Sequence, residues 1–253
     1  MIAITRKVSP SINYCELTHL ERDPIDLDIA NSQHESYENT LRSLGLEVLS
    51  MPAEKDLPDS VFVEDIAIVL DEMAILTRPG AVSRRLEVES VANILKPLRP
   101  LVSIQPPGTL DGGDILIMDK IIFAGISSRS NHSATQQLKE IVNPYGYQVK
   151  EISIEGCLHL KSAVTKVGDN TLLVNPDWVR KDHFKEFRLI ETDKTEMNGA
   201  NALEVNSTVI YQPCYPRTAE IMVNAGLRLE LVDASELGKA EGALTCCSLI
   251  FKK

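Results

Sequence analysis

The feature of this sequence that most constrains its fold is a faint repeat of apolar segments. Segments typical of β-strands begin near Phe62, Leu110, Leu158, Ala202 and Leu244. Subtraction puts successive starts 48, 48, 44 and 42 residues apart. In most of these five units a second apolar segment follows within a few residues, which is typical of a β-hairpin. Repeats of this period indicate propellers and related arrays, although an unrelated α/β chain can show such spacing by chance.

Helical patterns separate the predicted hairpins. Apolar positions at helical spacing lead up to Gly45, and Ser133–Gln136 has the form of a capping box. Pro176 and Pro216 lie where a first helical turn tolerates proline, and Gly226 lies where a helix would end. Strands that alternate with helices exclude an all-β sandwich and indicate an α/β fold.

The two ends of the chain complement each other. Ile2–Arg6 resembles Ala74–Arg78 of the first hairpin, whereas the last unit runs out of chain after Phe251. We therefore predict that the N-terminal strand completes the fifth unit and closes a ring. The predicted fold is a pseudo-fivefold α/β ring of five ββαβ-like repeats, which forms one domain over residues 1–253. Such a ring would bring residues distant in sequence into one pocket.

Composition and charge narrow the classes of function. The chain has 26 Lys and Arg against 36 Asp and Glu, a net charge of −10, so it does not attract nucleic acid or anionic membranes. Its five cysteines lack the spacing of a disulfide framework or a structural zinc site. The N-terminus lacks the apolar region of a signal peptide, and no apolar run has membrane-spanning length. We expect a cytoplasmic protein.

Acidic residues gather where the first hairpin begins. Asp59, Glu64 and Asp65 lie within seven residues, directly before and within an apolar segment. In an extended strand, Glu64 and Asp65 would point to opposite faces. Together with Asp59, one face would suit a cation such as a guanidinium, which binds carboxylates through paired hydrogen bonds. Solvated turn acids would explain the same residues.

Three other units also begin with reactive side chains. Asp111 precedes two glycines, as in a tight turn, and His159 lies in an apolar stretch, where it is either an acid–base group or a core residue. Cys246 and Cys247 would lie on opposite strand faces, and a cysteine is often only a small buried apolar residue. Together, Cys, His and Asp supply the nucleophile, the base and the orienting acid of covalent catalysis.

Arginines follow the second strands of two hairpins. Arg84 lies in Arg78–Arg85, and Arg129 lies in Ser127–Asn131. An anionic group such as a substrate carboxylate would bind there, because arginine presents paired donors to it. Surface arginines near a helix start are the alternative interpretation.

Taken together, these motifs resemble the dimethylarginine dimethylaminohydrolases of the guanidine-modifying pentein superfamily, whose fold is a five-bladed α/β propeller. The resemblance spans nearly the whole chain. The segments on which the resemblance rests are Pro58–Asp65, Thr77–Arg85, Leu110–Asp114, Ser128–Asn131, Leu158–Ser162 and Leu244–Ser248.

The resemblance implies a catalytic role for three residues. Cys246 is the nucleophile, His159 transfers protons, and Asp111, where some relatives have Glu, is the carboxylate partner of His159. Asp65, with Glu64 beside it, would hold the substrate guanidinium. No cofactor and no metal are implied. The nearby acids would raise the pKa of the thiol, so we expect the thiolate to form mainly when the cationic substrate binds.

The resemblance also implies contacts for the rest of the substrate. Asp59 and the backbone around Leu17 and Ala240 would receive its amino group, and Arg84 and Arg129 would bind its α-carboxylate. The aromatic ring in the first motif would pack near the guanidinium; that residue is Phe62. The segment Leu17–Asp23 is expected to form part of a lid over the substrate.

The implied activity is hydrolysis of Nω-methylated L-arginine to L-citrulline and dimethylamine or methylamine, through a covalent S-alkylthiouronium on the cysteine. The expected partner is a small guanidino amino acid, with a homodimer left open. One alternative is a related pentein hydrolase acting on free arginine or on citrulline. Others are a non-catalytic binding protein and a metal site of Cys246, Cys247 and His159, which adjacent strand residues would serve poorly.

Overall fold

Five three-stranded sheets build the fold in a computed structural model that describes residues 1–253. The strands are β1 (Ile2–Arg6), β2 (Glu47–Met51), β3 (Ala67–Val69), β4 (Ala74–Leu76), β5 (Leu101–Ser103), β6 (Ile115–Met118), β7 (Ile121–Ile126), β8 (Gln148–Ser153), β9 (Val164–Gly168), β10 (Thr171–Val174), β11 (Arg188–Glu191), β12 (Leu203–Val205), β13 (Thr208–Tyr211), β14 (Arg228–Leu231) and β15 (Leu249–Phe251). The sheets are β15-β1-β2, β3-β4-β5, β6-β7-β8, β9-β10-β11 and β12-β13-β14.

Each sheet repeats one connection pattern. Two antiparallel strands come first, and the third strand pairs in parallel with the second after a crossover. In the sheet β15-β1-β2, Ile2 pairs with Phe251 and Ile4 pairs with Leu249, so both ends of the chain share one blade. The predicted ring closure and the predicted five-bladed α/β propeller are therefore confirmed.

The helices lie in the crossovers and in the loops. They are α1 (Leu27–Ser43), α2 (Glu87–Leu95), α3 (His132–Val142), α4 (Leu160–Ala163), α5 (Pro216–Asn224) and α6 (Ser235–Gly238). The side chain of Asp26 begins α1 by accepting hydrogen bonds from the amides of Asp28 and Ile29. None of these helices combines the length and the apolar character needed to cross a bilayer.

Two predicted helix starts are wrong. Asn131, and not Ser133, caps α3, because the Asn131 side chain accepts a hydrogen bond from the Ala134 amide one turn ahead. Pro176 starts no helix. The crossover of its blade has only a 3-10 turn at Lys181–Phe184, which Phe184 anchors by packing edge-on against Phe123. Pro216 does begin α5, as predicted.

The predicted strand starts are displaced by short helical turns. Val63–Ile66, Gly112–Asp114, α4 and Thr245–Cys247 each precede the first strand of their blade, whereas β12 begins directly at Leu203. Val63 and Ile66 are fully buried between blades, and three residues per turn place them on one side. Adjacent residues in such a turn lie roughly 120° apart, so the predicted opposite faces for Glu64 and Asp65, and for Cys246 and Cys247, are wrong.

Candidate active site

The helical turns of four blades meet at the ring axis, where they enclose a small pocket. Its lining residues are Glu16, Asp59, Phe62, Asp65, Arg84, Arg129, Leu158, His159, Ala240, Glu241, Gly242 and Cys246. Eight of these were predicted from the sequence; Leu17, Glu64 and Asp111 were also predicted but do not line the pocket. Its volume is about 20 Å³, and it shares Leu158, Glu241 and Gly242 with a neighbouring cavity of about 360 Å³.

Asp111 lies behind His159 and fixes its imidazole. The distance from His159 Nε2 to Asp111 Oδ2 is 3.1 Å, and Asp111 Oδ1 accepts a hydrogen bond of 2.9 Å from the Gly80 amide. Asp111 is fully buried. A side chain at Gly113 would place its Cβ 2.7 Å from His159 Nδ1, so the ring requires a glycine there. This arrangement agrees with the partnership that the sequence resemblance implies.

His159 is protonated at neutral pH. Burial by itself would lower its pKa, but the carboxylates of Asp65, Asp111 and Asp114 outweigh burial and raise the pKa to about 9. The second ring nitrogen, Nδ1, lies 3.9 Å from Asp65 Oδ1. The pocket therefore contains an acid that can protonate a departing amine.

Cys246 and Cys247 occupy one helical turn but different surroundings. Cys246 lines the pocket, whereas Cys247 is buried in the apolar core, where its thiol donates to the Ala243 carbonyl. Burial raises the pKa of Cys246 well above its usual value, and Glu64 and Asp65 raise it further. The empty site therefore holds a neutral thiol at neutral pH.

Asp65 is the ionised acid of the pocket. Its Oδ2 accepts a 2.5 Å hydrogen bond from Arg84, and its Oδ1 accepts one of 3.0 Å from the Gly113 amide. Burial favours the neutral acid, but His159 and Arg84 lower the pKa of Asp65 to about 2. A carboxylate that stays charged in a buried site is suited to hold a cation.

The guanidinium of Arg84 is already fully engaged. Besides Asp65, it binds Glu87 at 2.9 Å and the Phe62 carbonyl at 3.0 Å, and only 4% of the residue is exposed. Arg129 is less committed, since one of its nitrogens donates to the Thr18 hydroxyl. Of the two predicted carboxylate-binding arginines, Arg129 is thus the more available.

Glu64 points away from the pocket. Lys161 donates to one carboxylate oxygen at 2.7 Å, and the Thr245 hydroxyl donates to the other at 2.9 Å. Glu64 therefore acts on Cys246 through its charge and not as a wall of the pocket. Sequence reasoning missed this ion pair, because the two residues are 97 positions apart.

Two of the three predicted amino-end residues line the pocket. Asp59 and Ala240 are buried in its wall, and the amide of Glu16 donates to the Asp59 carboxylate. Burial raises the pKa of Asp59. Leu17 follows Glu16 in the chain and packs on the neighbouring apolar cluster, so its backbone is adjacent to the wall.

Glu241 is a wall residue that sequence reasoning missed. It has a left-handed backbone with φ of 58°, and its carboxylate accepts hydrogen bonds from three successive amides, those of Thr18, His19 and Leu20. These contacts tie the predicted lid segment to the pocket. No local sequence pattern predicts these hydrogen bonds, because they join residues more than 220 positions apart.

Three donor groups in the site are close enough to share a cation. Oxygen or nitrogen atoms of Asp65, Asp111 and His159 lie within 4.8 Å of one another. The alternative cluster of Cys246, Cys247 and His159 is not formed, because Cys247 points into the core. The protonated imidazole already supplies positive charge between the two acids.

Comparison with known proteins identifies the family. Residues 10–215 match the sequence profile described as N,N dimethylarginine dimethylhydrolase, eukaryotic. The chain belongs to the dimethylarginine dimethylaminohydrolase family. The N(G),N(G)-dimethylarginine dimethylaminohydrolase of Pseudomonas aeruginosa is 35% identical over 224 residues, 88% of each chain. That of Streptomyces coelicolor is 36% identical over 250 residues, 98% of this chain and 95% of the relative.

Solved structures agree with this dimethylarginine dimethylaminohydrolase assignment. A cysteine-to-serine variant of the Pseudomonas aeruginosa enzyme in complex with citrulline is 33% identical, covers 98% of both chains and has a TM-score of 0.94. A histidine-to-glycine variant of a dimethylarginine dimethylaminohydrolase, solved as an adduct with S-methyl-L-thiocitrulline, has a TM-score of 0.93 at 33% identity and the same coverage. The N-terminal domain of a cyanobacterial arginine dihydrolase shares the fold alone, with a TM-score of 0.88 at 18% identity, 98% of this chain and 96% of that one.

Proposed function

We propose that this protein hydrolyses Nω-methylated L-arginine to L-citrulline, with release of dimethylamine or methylamine. One observation carries the proposal: a thiol, an imidazolium and an ionised carboxylate from separate blades face one pocket. These groups belong to Cys246, His159 and Asp65. The names of the relatives and the citrulline complex of the Pseudomonas aeruginosa enzyme support the same reaction.

Substrate binding exchanges one guanidinium for another. The substrate guanidinium binds the Asp65 carboxylate in place of Arg84 and packs near Phe62. Arg84 then turns toward the α-carboxylate, where it joins Arg129. The α-amino group is received by Asp59 and by the neighbouring backbone carbonyls of the lid and of the opposite wall; these carbonyls belong to Leu17 and Ala240.

The first half of the reaction forms a covalent intermediate. As the cationic substrate binds, the Cys246 thiol loses its proton to solvent, and the thiolate attacks the guanidinium carbon. The tetrahedral adduct collapses when the imidazolium of His159 protonates the methylated nitrogen, so that the C–N bond breaks and the amine leaves. A planar S-alkylthiouronium remains on the sulfur, and His159 is left neutral.

The second half returns the free enzyme. Neutral His159 takes a proton from a water molecule, and the resulting hydroxide attacks the same carbon. The hydroxyl proton of the adduct passes to the sulfur as the C–S bond breaks, so citrulline leaves and the neutral Cys246 thiol is restored. Asp111 holds the imidazole in one orientation through both proton transfers, because its carboxylate accepts from Nε2 throughout.

The acids of the site explain why a cationic substrate is needed. In the empty site, burial, Glu64 and Asp65 hold the pKa of Cys246 high. A bound guanidinium next to the sulfur supplies the missing positive charge and lowers that pKa. The same arrangement disfavours neutral citrulline as a substrate, since it brings no charge.

Product analysis tests the proposal directly. The protein is incubated separately with asymmetric dimethylarginine, monomethylarginine, arginine and citrulline, beside a Cys246→Ala control. We expect citrulline together with dimethylamine or methylamine from the two methylated substrates, and no product in the control. Turnover of arginine or citrulline alone would replace the proposal with the related hydrolase.

We also propose that residues 1–253 act as one catalytic unit. The residues that line the pocket run from Glu16 to Cys246, so the site depends on nearly the whole length of the chain. The cytoplasm suits the mechanism, because a reducing compartment keeps the Cys246 thiol free.

A further inference from the structure

Asp114 is a buried acid that the mechanism leaves without a role. It is the second carboxylate of the Leu110–Asp114 motif, it is 0% exposed, and it does not line the pocket. Burial raises its pKa to about 6, against the influence of His159 and two serine hydroxyls. A carboxylate buried this deeply is costly unless each oxygen has hydrogen-bond partners.

Both oxygens of Asp114 are fully used. Oδ1 accepts a 2.9 Å hydrogen bond from the Leu160 amide, and Oδ2 accepts from the hydroxyls of Ser127 at 2.6 Å and Ser130 at 2.5 Å. A Cβ at Gly125 would lie 2.7 Å from Oδ1, so the backbone opposite leaves space for the carboxylate. The acid therefore links the turn after β7 to the start of α4.

One arm of this network leads to the proton-transfer pair. Leu160 directly follows His159 and is the first residue of α4, so the bond to its amide fixes the backbone that carries the imidazole. The Ser130 hydroxyl, in turn, accepts a 3.1 Å hydrogen bond from the Asp111 amide. Asp114 thus holds the backbone of both residues whose side chains meet at 3.1 Å.

The other arm leads to Arg129. The Ser127 hydroxyl accepts hydrogen bonds from the amides of Arg129 at 3.0 Å and Ser130 at 3.1 Å. These bonds close a tight turn that aims the arginine into the pocket. Ser127 thus holds the amides of Arg129 and Ser130, whereas Ser130 holds the amide of Asp111.

We propose that Asp114 is a positioning residue that sets two parts of the site at once. Through Leu160 and Ser130 it holds His159 and Asp111, and through Ser127 it holds Arg129. The inference rests on the proposed function for the roles of these three side chains, and it adds the reason why their geometry is fixed before substrate arrives.

The charge of Asp114 sets the direction of every hydrogen bond in the network. Because a carboxylate only accepts, both serine hydroxyls donate to it and keep their lone pairs for backbone amides. An asparagine would present an N–H group to the serines, so a hydroxyl proton would lose its acceptor and the amides would lose their alignment. Asp114→Asn is therefore a disruptive change despite its equal size.

The serines allow the two arms to be tested separately. We expect Ser130→Ala to lower kcat roughly tenfold with little change in KM, since its partner amide belongs to Asp111. We expect Ser127→Ala to raise KM roughly tenfold with little change in kcat, since its partner amide belongs to Arg129. Asp114→Asn should show both effects. Ser128→Ala, at an exposed hydroxyl in the same turn, is the matched control.

A second measurement does not depend on turnover. The imidazole signal of His159 in ¹⁵N NMR, assigned with His159→Gln, should move in Asp114→Asn and Ser130→Ala, and by less in Ser127→Ala. That result without any methylarginine hydrolysis would reject the proposed function and keep the positioning role. The inference would be overturned if both serine variants changed kcat and KM to the same extent, or if the His159 signal did not move in Ser130→Ala. The serine variants carry the test if Asp114→Asn does not fold.

Discussion

His159 Nε2 and Asp111 Oδ2 lie 3.1 Å apart, although the two residues are 48 positions apart and begin different blades. The separation of 48 positions equals the spacing between the starts of the second and third repeats in the sequence. Equivalent turns of neighbouring blades therefore supply an acid and its imidazole. Because four of the five blades start with a helical turn at the ring axis, one change at such a turn alters the site directly.

Asp111→Asn tests the orientation of the imidazole. The amide can place an N–H group against the protonated ring nitrogen, which would turn the ring away from its acid–base position. We expect kcat to fall roughly 100-fold or more, because positioned acid–base groups contribute at least that much. Asp111→Glu, which keeps the charge, should retain more activity. Steady-state kinetics would contradict the assignment if Asp111→Asn had the wild-type kcat.

The raised pKa of His159 predicts how stability depends on pH. Its folded value of about 9 exceeds the ordinary 6.5, so protonated His159 stabilises the fold by about 3 kcal/mol below pH 6.5. That contribution is lost as the pH rises through about 9, when Asp65, Asp111 and Asp114 lose their cationic neighbour. Urea unfolding of wild type and His159→Gln should show a stability difference that shrinks between about pH 6 and pH 10. A difference that grew instead would refute the assigned protonation state.

The thiol of Cys246 should ionise with the help of the substrate. We expect it to be protonated at neutral pH in the free protein and to titrate at lower pH when a guanidinium compound is bound. The thiolate absorbance in the ultraviolet measures this, with Cys246→Ser to subtract the other four cysteines. Glu64→Gln should lower the pKa in the free protein, because it removes a negative charge near the sulfur. Full ionisation at pH 7 without ligand would contradict this account.

Glu241 should control how firmly the lid segment is held. Glu241→Gln keeps the length of the side chain but replaces one of the acceptors for the Thr18, His19 and Leu20 amides. We expect faster hydrogen exchange at these amides and a raised KM, because the wall that receives the amino end loosens. Glu230→Gln, at an exposed acid of β14 without such contacts, is the control. Unchanged exchange at the three amides would show that Glu241 does not hold the segment.

The sequence predicts the ring and the convergence of Cys246, His159 and Asp111, but not the local shape of the turns. The apolar repeat and the match between Ile2–Arg6 and Ala74–Arg78 depend only on burial, which a pattern of residues records. The turn at Val63–Ile66 has the same apolar residues as a strand, so its helical form was not predicted. Contacts such as that of Glu241 with the lid depend on how blades pack, and local patterns contain no trace of them.

The most direct test of the account is the site of covalent attachment to substrate. A His159→Gly variant is treated with S-methyl-L-thiocitrulline, whose thiol leaving group needs no protonation by His159 and whose adduct cannot then be hydrolysed efficiently. Tandem mass spectrometry should place the added mass on Cys246, and the adduct should persist with Cys247→Ser but vanish with Cys246→Ser. An adduct on Cys247, or hydrolysis of dimethylarginine that survives Cys246→Ser, would contradict the account.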